Sequence, residues 1–270
     1  MTRTEGNRMI RRTLFGMALV LGLSTTAVPA HAINYGQVDN GAHPYVALIA
    51  LFEEDGTYAG RCSGTLIDED VVLSAAHCTD GIAYAHIFFG EDLRTVDVST
   101  STDYDAVGLP HAMPGWTGSL TTPDTHDLSV FTLDRAITDI EPAELAPVGF
   151  LDEMSTRRGQ QDTYFTTVGY GLQQRKPYLI AEKIRMYAES DLINLRSALV
   201  GGYGLQTTNN PGSGRGGNCS GDSGGPILYQ STDVIVAVNS FGLNNTCKGT
   251  DFSYRVDTPE AHAFISQFLD

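Results

Sequence analysis

What most constrains this chain is its punctuation. From residue 33 onward, short apolar or alternating runs recur, each bounded by Gly, Pro, Asn or Asp. They are Tyr45–Phe52, Gly64–Ile67, Val71–Ser74, Ala85–Phe89, Leu128–Leu133, Tyr164–Val168 and Val234–Val238. Runs of roughly four to eight residues, enriched in β-branched side chains and closed by turn formers, are strands rather than helices. Their regular return predicts an all-β sandwich or barrel architecture. Helix is sparse. Glu189–Val200 has a helical pattern, and Thr258–Phe268 reads as a C-terminal helix with Thr258 as N-cap and Pro259 in the first helical position. The glycine-rich stretch 201–217 reads as a surface loop.

The first 32 residues have a different character. Arg8, Arg11 and Arg12 precede an apolar run from Leu14 to Leu23, and Ala30-His31-Ala32 supplies a small-x-small cleavage pattern. An apolar run of about ten residues is too short to cross a bilayer and fits a signal for export. The expected product is a secreted protein, extracellular or periplasmic, beginning at Ile33. A formal net charge of −15 argues against nucleic acid or an anionic membrane surface as partner, since both require basic patches. Cys62, Cys78, Cys219 and Cys247 all lie in the exported part. An even cysteine count in an oxidising compartment points to two disulfides, with three connectivities open. No CxxC or HExxH spacing is present, so neither a metal nor another cofactor is expected.

Three segments carry chemistry. Gly221-Asp222-Ser223-Gly224-Gly225-Pro226 surrounds a serine with glycines. A serine hydroxyl becomes a nucleophile only when a base takes its proton, and the oxyanion formed on attack needs backbone N–H donors. Leu73-Ser74-Ala75-Ala76-His77-Cys78 places a histidine beside a cysteine. Asp127 opens the run Leu128–Leu133. Each feature alone is common: GxSxG occurs by chance, most histidines are structural, and an aspartate at a strand start is usually a turn former. Together they stand in the order His, Asp, Ser, 50 and 96 residues apart, in an exported all-β chain.

The segments SAAHC, HDLSV and GDSGGP resemble the three active-site signatures of the trypsin/chymotrypsin-like serine proteases, whose triad has this chain order. Cys62–Ile67, Val168-Gly169-Tyr170-Gly171 and Ser240-Phe241-Gly242 extend the likeness from about Ile33 to the end of the chain. The resemblance implies two six-stranded antiparallel β-barrels with the active site in the cleft between them and a short C-terminal helix. It implies a secreted serine endopeptidase in which Ser223 attacks, His77 acts as general base and Asp127 orients it. It places the oxyanion hole at the N–H groups of Gly221 and Ser223, and pairs Cys62 with Cys78 and Cys219 with Cys247. Gly217 and Asn218 would form the base of the primary pocket, and Ser240, Phe241 and Gly242 the substrate-pairing strand. With no charge at Gly217, uncharged side chains are expected before the cleaved bond; Phe252 would shorten the pocket, and Asp251 would alter this if its carboxylate entered it. Ile33 would supply a new N-terminal amine to Asp222. The expected partners are polypeptide substrates, and the expected state a monomer.

Other readings compete. His126 is expected on the surface, and Asp124, in a polar loop, is the weaker choice of acid. An α/β-hydrolase needs a strand before the serine and a helix after it. Here polar Asn209–Asn218 precedes it and Pro226 follows, leaving 47 residues. A catalytically inactive homologue acting as a binding protein is the alternative of another class; all three triad residues are present against it.

Overall fold

The computed structural model describes residues 1–2, 33–154, 163–210 and 215–269. The export signal expected over 1–32 lies outside the described residues except for its first two. A two-residue strand, β1 (Gln37–Val38), leads into six longer ones: β2 (Val46–Phe52), β3 (Tyr58–Asp68), β4 (Val71–Ser74), β5 (Tyr84–Phe88), β6 (Ala106–Ala112) and β7 (Ser129–Leu133). These six close into an antiparallel barrel in the order β2-β3-β4-β7-β6-β5. All seven residues of β2 are buried, which is why its sequence, VALIALF, has no polar alternation.

The second half contains β8 (Glu144–Leu145), β9 (Tyr164–Gly169), β10 (Met186–Asn194), β11 (Gly204–Asn209), β12 (Pro226–Tyr229), β13 (Val234–Gly242) and β14 (Gly249–Arg255). Six of them close antiparallel in the order β9-β10-β11-β14-β13-β12, with β12 returning to β9. Strand β1 adds to β10, and β8 runs parallel beside β13. The chain therefore folds as the two six-stranded barrels expected from its sequence. One helix, α1 (Pro259–Ile265), ends the domain; Thr258 Oγ1 accepts the Ala261 N–H at 3.1 Å, as an N-cap should.

Two expectations are corrected. Glu189–Val200 is not a helix: its first half, to Asn194, belongs to β10, whose residues alternate buried and half-buried between β9 and β11. Pairing on both sides overrides a modest helical pattern. The glycine-rich stretch is not simply a loop either, because Gly204–Asn209 is β11, hydrogen-bonded to β10 and β14.

A buried charge network joins the barrels. Arg185 Nε donates to Asp39 Oδ2 at 2.9 Å, and its Nη1 to the carbonyls of Val46 at 3.1 Å and Phe89 at 3.0 Å. Satisfied in this way, a buried guanidinium fixes the relation of the halves that form the cleft.

Candidate active site

His77 sits on the 3-10 turn Ala76–Thr79, immediately after β4. The Cys62–Cys78 disulfide ties that turn to β3. Asp127 lies just before β7, the antiparallel partner of β4, and is fully buried. Its Oδ1 accepts the His77 backbone N–H at 2.8 Å, and its Oδ2 lies 2.9 Å from His77 Nδ1. A carboxylate facing Nδ1 holds the proton there and leaves Nε2 as the free base. Ser240 Oγ also donates to Asp127 Oδ2. The register of β13 on β14 slips between Asn239 and Phe241, and this bulge leaves Ser240 directed at the other barrel.

Ser223 belongs to the tight loop before β12. Its carbonyl accepts the Ser63 N–H at 2.8 Å, while Ser63 Oγ donates to the Gly221 carbonyl at 2.9 Å. A Cβ on Gly224 would lie 2.0 Å from Ser74 Oγ and 3.0 Å from Ala75 N, so glycine is required for the loop to dock beside the turn of His77. The backbone N–H groups of Gly221 and Ser223 have no acceptor among the described residues. That is the arrangement an oxyanion site needs. Ser223 and His77 are not hydrogen-bonded to each other here; such contacts often tighten only with substrate bound.

The pocket beside Ser223 is lined by Asn218, Cys219, Ser240, Phe241 and Gly242, and by Asp251. Gly217 lies behind it. A Cβ there would come within 2.4 Å of Asn209 Cγ and 2.5 Å of Asp251 Oδ2, so the missing side chain makes room for a carboxylate from β14. Phe252 stacks on Phe241 with ring centroids 4.8 Å apart and is not among the residues that line the pocket. Burial pushes the Asp251 carboxyl up to about 7, against the donors Asn209 and Asn218.

Asp222 is fully buried. Gly171 N donates to its Oδ1 at 2.7 Å and Cys219 N to its Oδ2 at 2.8 Å. A Cβ on Gly169 or Gly171 would come within 2.4 Å of that carboxylate, which explains the VGYG segment. No cation lies at hydrogen-bond distance among the described residues. Burial pushes this carboxyl up to about 7 as well. Ile33 is buried against Ile184, Met186 and Ala188, and Asn34 exchanges two backbone hydrogen bonds with Gly217, at 2.9 and 3.1 Å.

Both disulfides pair as expected, Cys62–Cys78 and Cys219–Cys247. His126 is half-buried rather than simply exposed. With a positive φ of 52°, it bridges Asp124 Oδ1 at 3.4 Å and Glu260 Oε1 at 3.3 Å. Asp124 accepts the Tyr254 hydroxyl at 3.1 Å, and it is Asp127 that faces His77. Residues to which the sequence assigned no role include Ser63, Asn209 and Asn34. Isolated small polar residues carry no motif.

The model of the Trypsin family matches residues 33–264. Among curated proteins, brachyurin of Leptuca pugilator is 28% identical over 229 residues, covering 82% of this chain and 88% of that protein. Chymotrypsin-like elastase family member 1 of Bos taurus is 26% identical, with 91% and 94% covered. The solved structure of HL collagenase superposes with a TM-score of 0.61 at 21% identity, covering 87% of this chain and 97% of that one. Human heparin binding protein gives a TM-score of 0.61 at 20% identity, with 87% and 96% covered. With the family model spanning both barrels and the site between them, the chain belongs to the trypsin family of serine endopeptidases.

Proposed function

We propose that this serine endopeptidase is exported and cleaves polypeptides through an acyl-enzyme, with Ser223 as nucleophile, His77 as general base and Asp127 as its orienting carboxylate. The observation that carries the reading is the fully buried Asp127 carboxylate, which holds Nδ1 of His77 beside a serine loop with two unengaged N–H groups. His77 Nε2 takes the Ser223 proton as Oγ attacks the carbonyl, then gives it to the leaving amine. Water enters by the same route and releases the acyl group. The N–H groups of Gly221 and Ser223 stabilise the oxyanion, each donor worth about 3 kcal/mol. The binding-protein alternative gains nothing from a site with every catalytic group present.

The primary pocket favours uncharged side chains while Asp251 is protonated, since Gly217 supplies no charge. Above about pH 7 the Asp251 carboxylate offers a partner to Arg or Lys. With Phe252 outside the lining and no side chain at Gly242, small or medium aliphatic residues are the first expectation and aromatic residues the second.

Activation follows from the same geometry. Cleavage after Ala32 frees the amine of Ile33, and the buried Asp222 carboxylate is its ion-pair partner. Cleavage of peptide libraries at pH 6 and pH 8.5, with and without a serine-directed phosphonate, tests the reading. Phosphonate-sensitive hydrolysis is expected; hydrolysis that resists the phosphonate overturns it.

A further inference from the structure

We infer that Asn34 is a specificity-positioning residue: with Asn209 it holds the Asp251 carboxylate at the base of the primary pocket, so the seated N-terminal segment sets the choice between basic and uncharged side chains. This rests on the pocket reading above and adds to it a residue far from the catalytic groups in sequence.

Four polar residues from separate segments meet there, all nearly excluded from solvent: Asn34, Asn209, Asn218 and Asp251. Asn34 Nδ2 donates to Asn209 Oδ1 at 3.2 Å, and also to the Cys247 carbonyl. With its oxygen so engaged, Asn209 turns its Nδ2 to Asp251 Oδ1 at 3.0 Å, to Oδ2 at 3.1 Å and to the Asn218 carbonyl at 2.9 Å. Asn218 N completes the set, donating to Asp251 Oδ2 at 2.6 Å.

An amide has a donor end and an acceptor end. Were Asn209 reversed, its oxygen would face the carboxylate, and two acceptors would meet in a buried site. The Asn34 amide is what makes the observed orientation the better one. Asn34 is itself fixed by its two backbone bonds to Gly217, the residue whose missing side chain makes room for Asp251.

Burial opposes ionisation of Asp251, and the Asn209 and Asn218 donors oppose burial. Loss of the Asn34 amide therefore makes the carboxylate harder to form and weakens the pocket's hold on a cation. The other charged groups about it are Asp222, which interacts with it as a like charge, and Lys248, which lines the same pocket. Asn34→Val changes neither, whereas Asn34→Asp also adds a carboxylate to the cluster.

The test uses the processed protein, with active sites counted by phosphonate titration so that only folded enzyme is compared. Matched peptides with Arg or Leu before the cleaved bond are assayed from pH 6 to 9 with wild type, Asn34→Val, the isosteric Asn34→Asp and Asp251→Asn. The ratio of the two kcat/KM values cancels any general loss of activity. In wild type the Arg:Leu ratio rises with pH. In Asn34→Val the rise moves to higher pH, and the ratio at pH 7 falls about tenfold; Asn34→Asp, which offers Asn209 no amide donor, falls at least as far. A pH-dependent wild-type ratio retained by Asn34→Val overturns the relay alone. A wild-type ratio that is flat with pH and equal to that of Asp251→Asn overturns the pocket reading and the relay with it.

Discussion

Ser240, on β13 of the second barrel, donates its hydroxyl to Asp127 of the first, a residue 113 positions earlier in the chain. The bond joins the two barrels and gives the Asp127 carboxylate a third donor beside the backbone and ring nitrogens of His77. A hydrogen bond to a charged group is worth about 1.5–3 kcal/mol, and about 1.4 kcal/mol is a tenfold change in rate. Ser240→Ala is therefore expected to lower kcat by about ten- to a hundredfold, with a smaller change in KM. Steady-state kinetics on a single peptide checks this; a change confined to KM would assign Ser240 to substrate binding alone.

Asp127→Asn preserves the shape of the proposed triad but lets the ring settle with the wrong nitrogen protonated. Turnover should fall by on the order of 10⁴. The same variant should keep its cooperative melting transition, so activity and thermal unfolding measured on one preparation separate catalytic loss from misfolding.

The charged groups make a prediction about stability. Asp222 and Asp251 both have carboxyls raised to about 7 from an ordinary value of 3.8. Between about pH 4 and pH 7 the folded chain then binds more protons than the unfolded chain, so stability falls as pH rises through that window. Melting of the unprocessed Ser223→Ala protein should move to lower temperature from pH 5 to pH 8. Asp251→Asn should flatten that slope. A melting temperature that climbs over the same range would contradict both assignments.

The processed N-terminus provides another check. If the amine of Ile33 is the partner of Asp222, as proposed, a form carrying one extra residue before Ile33 cannot bring its amine there. That buried carboxylate then lacks its cation, and the oxyanion site loses its order with the triad intact. Activity is expected to fall at least a hundredfold in the extended form, measured beside enzyme whose N-terminus is verified as Ile33. Equal activity in the two forms would remove Ile33 and Asp222 from the activation mechanism.

Much of this was legible in the sequence for a physical reason. Strands with one buried face or two announce themselves by apolar pattern, and SAAHC and GDSGGP concentrate chemistry with obligatory glycines in short segments. The two disulfides followed from the resemblance. Residues 189–194 misled because local pattern cannot register the β9 and β11 partners that fix them as strand. The pocket was legible only in part. The absence of charge at Gly217 was visible, but that the vacated space admits Asp251 depends on the register of β14, where a slip of one residue exchanges Asp251 with Phe252. Ser63, Asn34 and Asn209 were silent because a single small polar residue gains meaning only from what it meets.

The central claim is that Ser223 is an activated nucleophile. A biotinylated phosphonate that reacts covalently with activated serines should label the processed protein, and peptide mapping by mass spectrometry should place the adduct on Ser223. His77→Ala should abolish labelling while the fold persists. An unlabelled Ser223 in folded, processed protein, or an adduct that forms equally well without His77, would contradict the account.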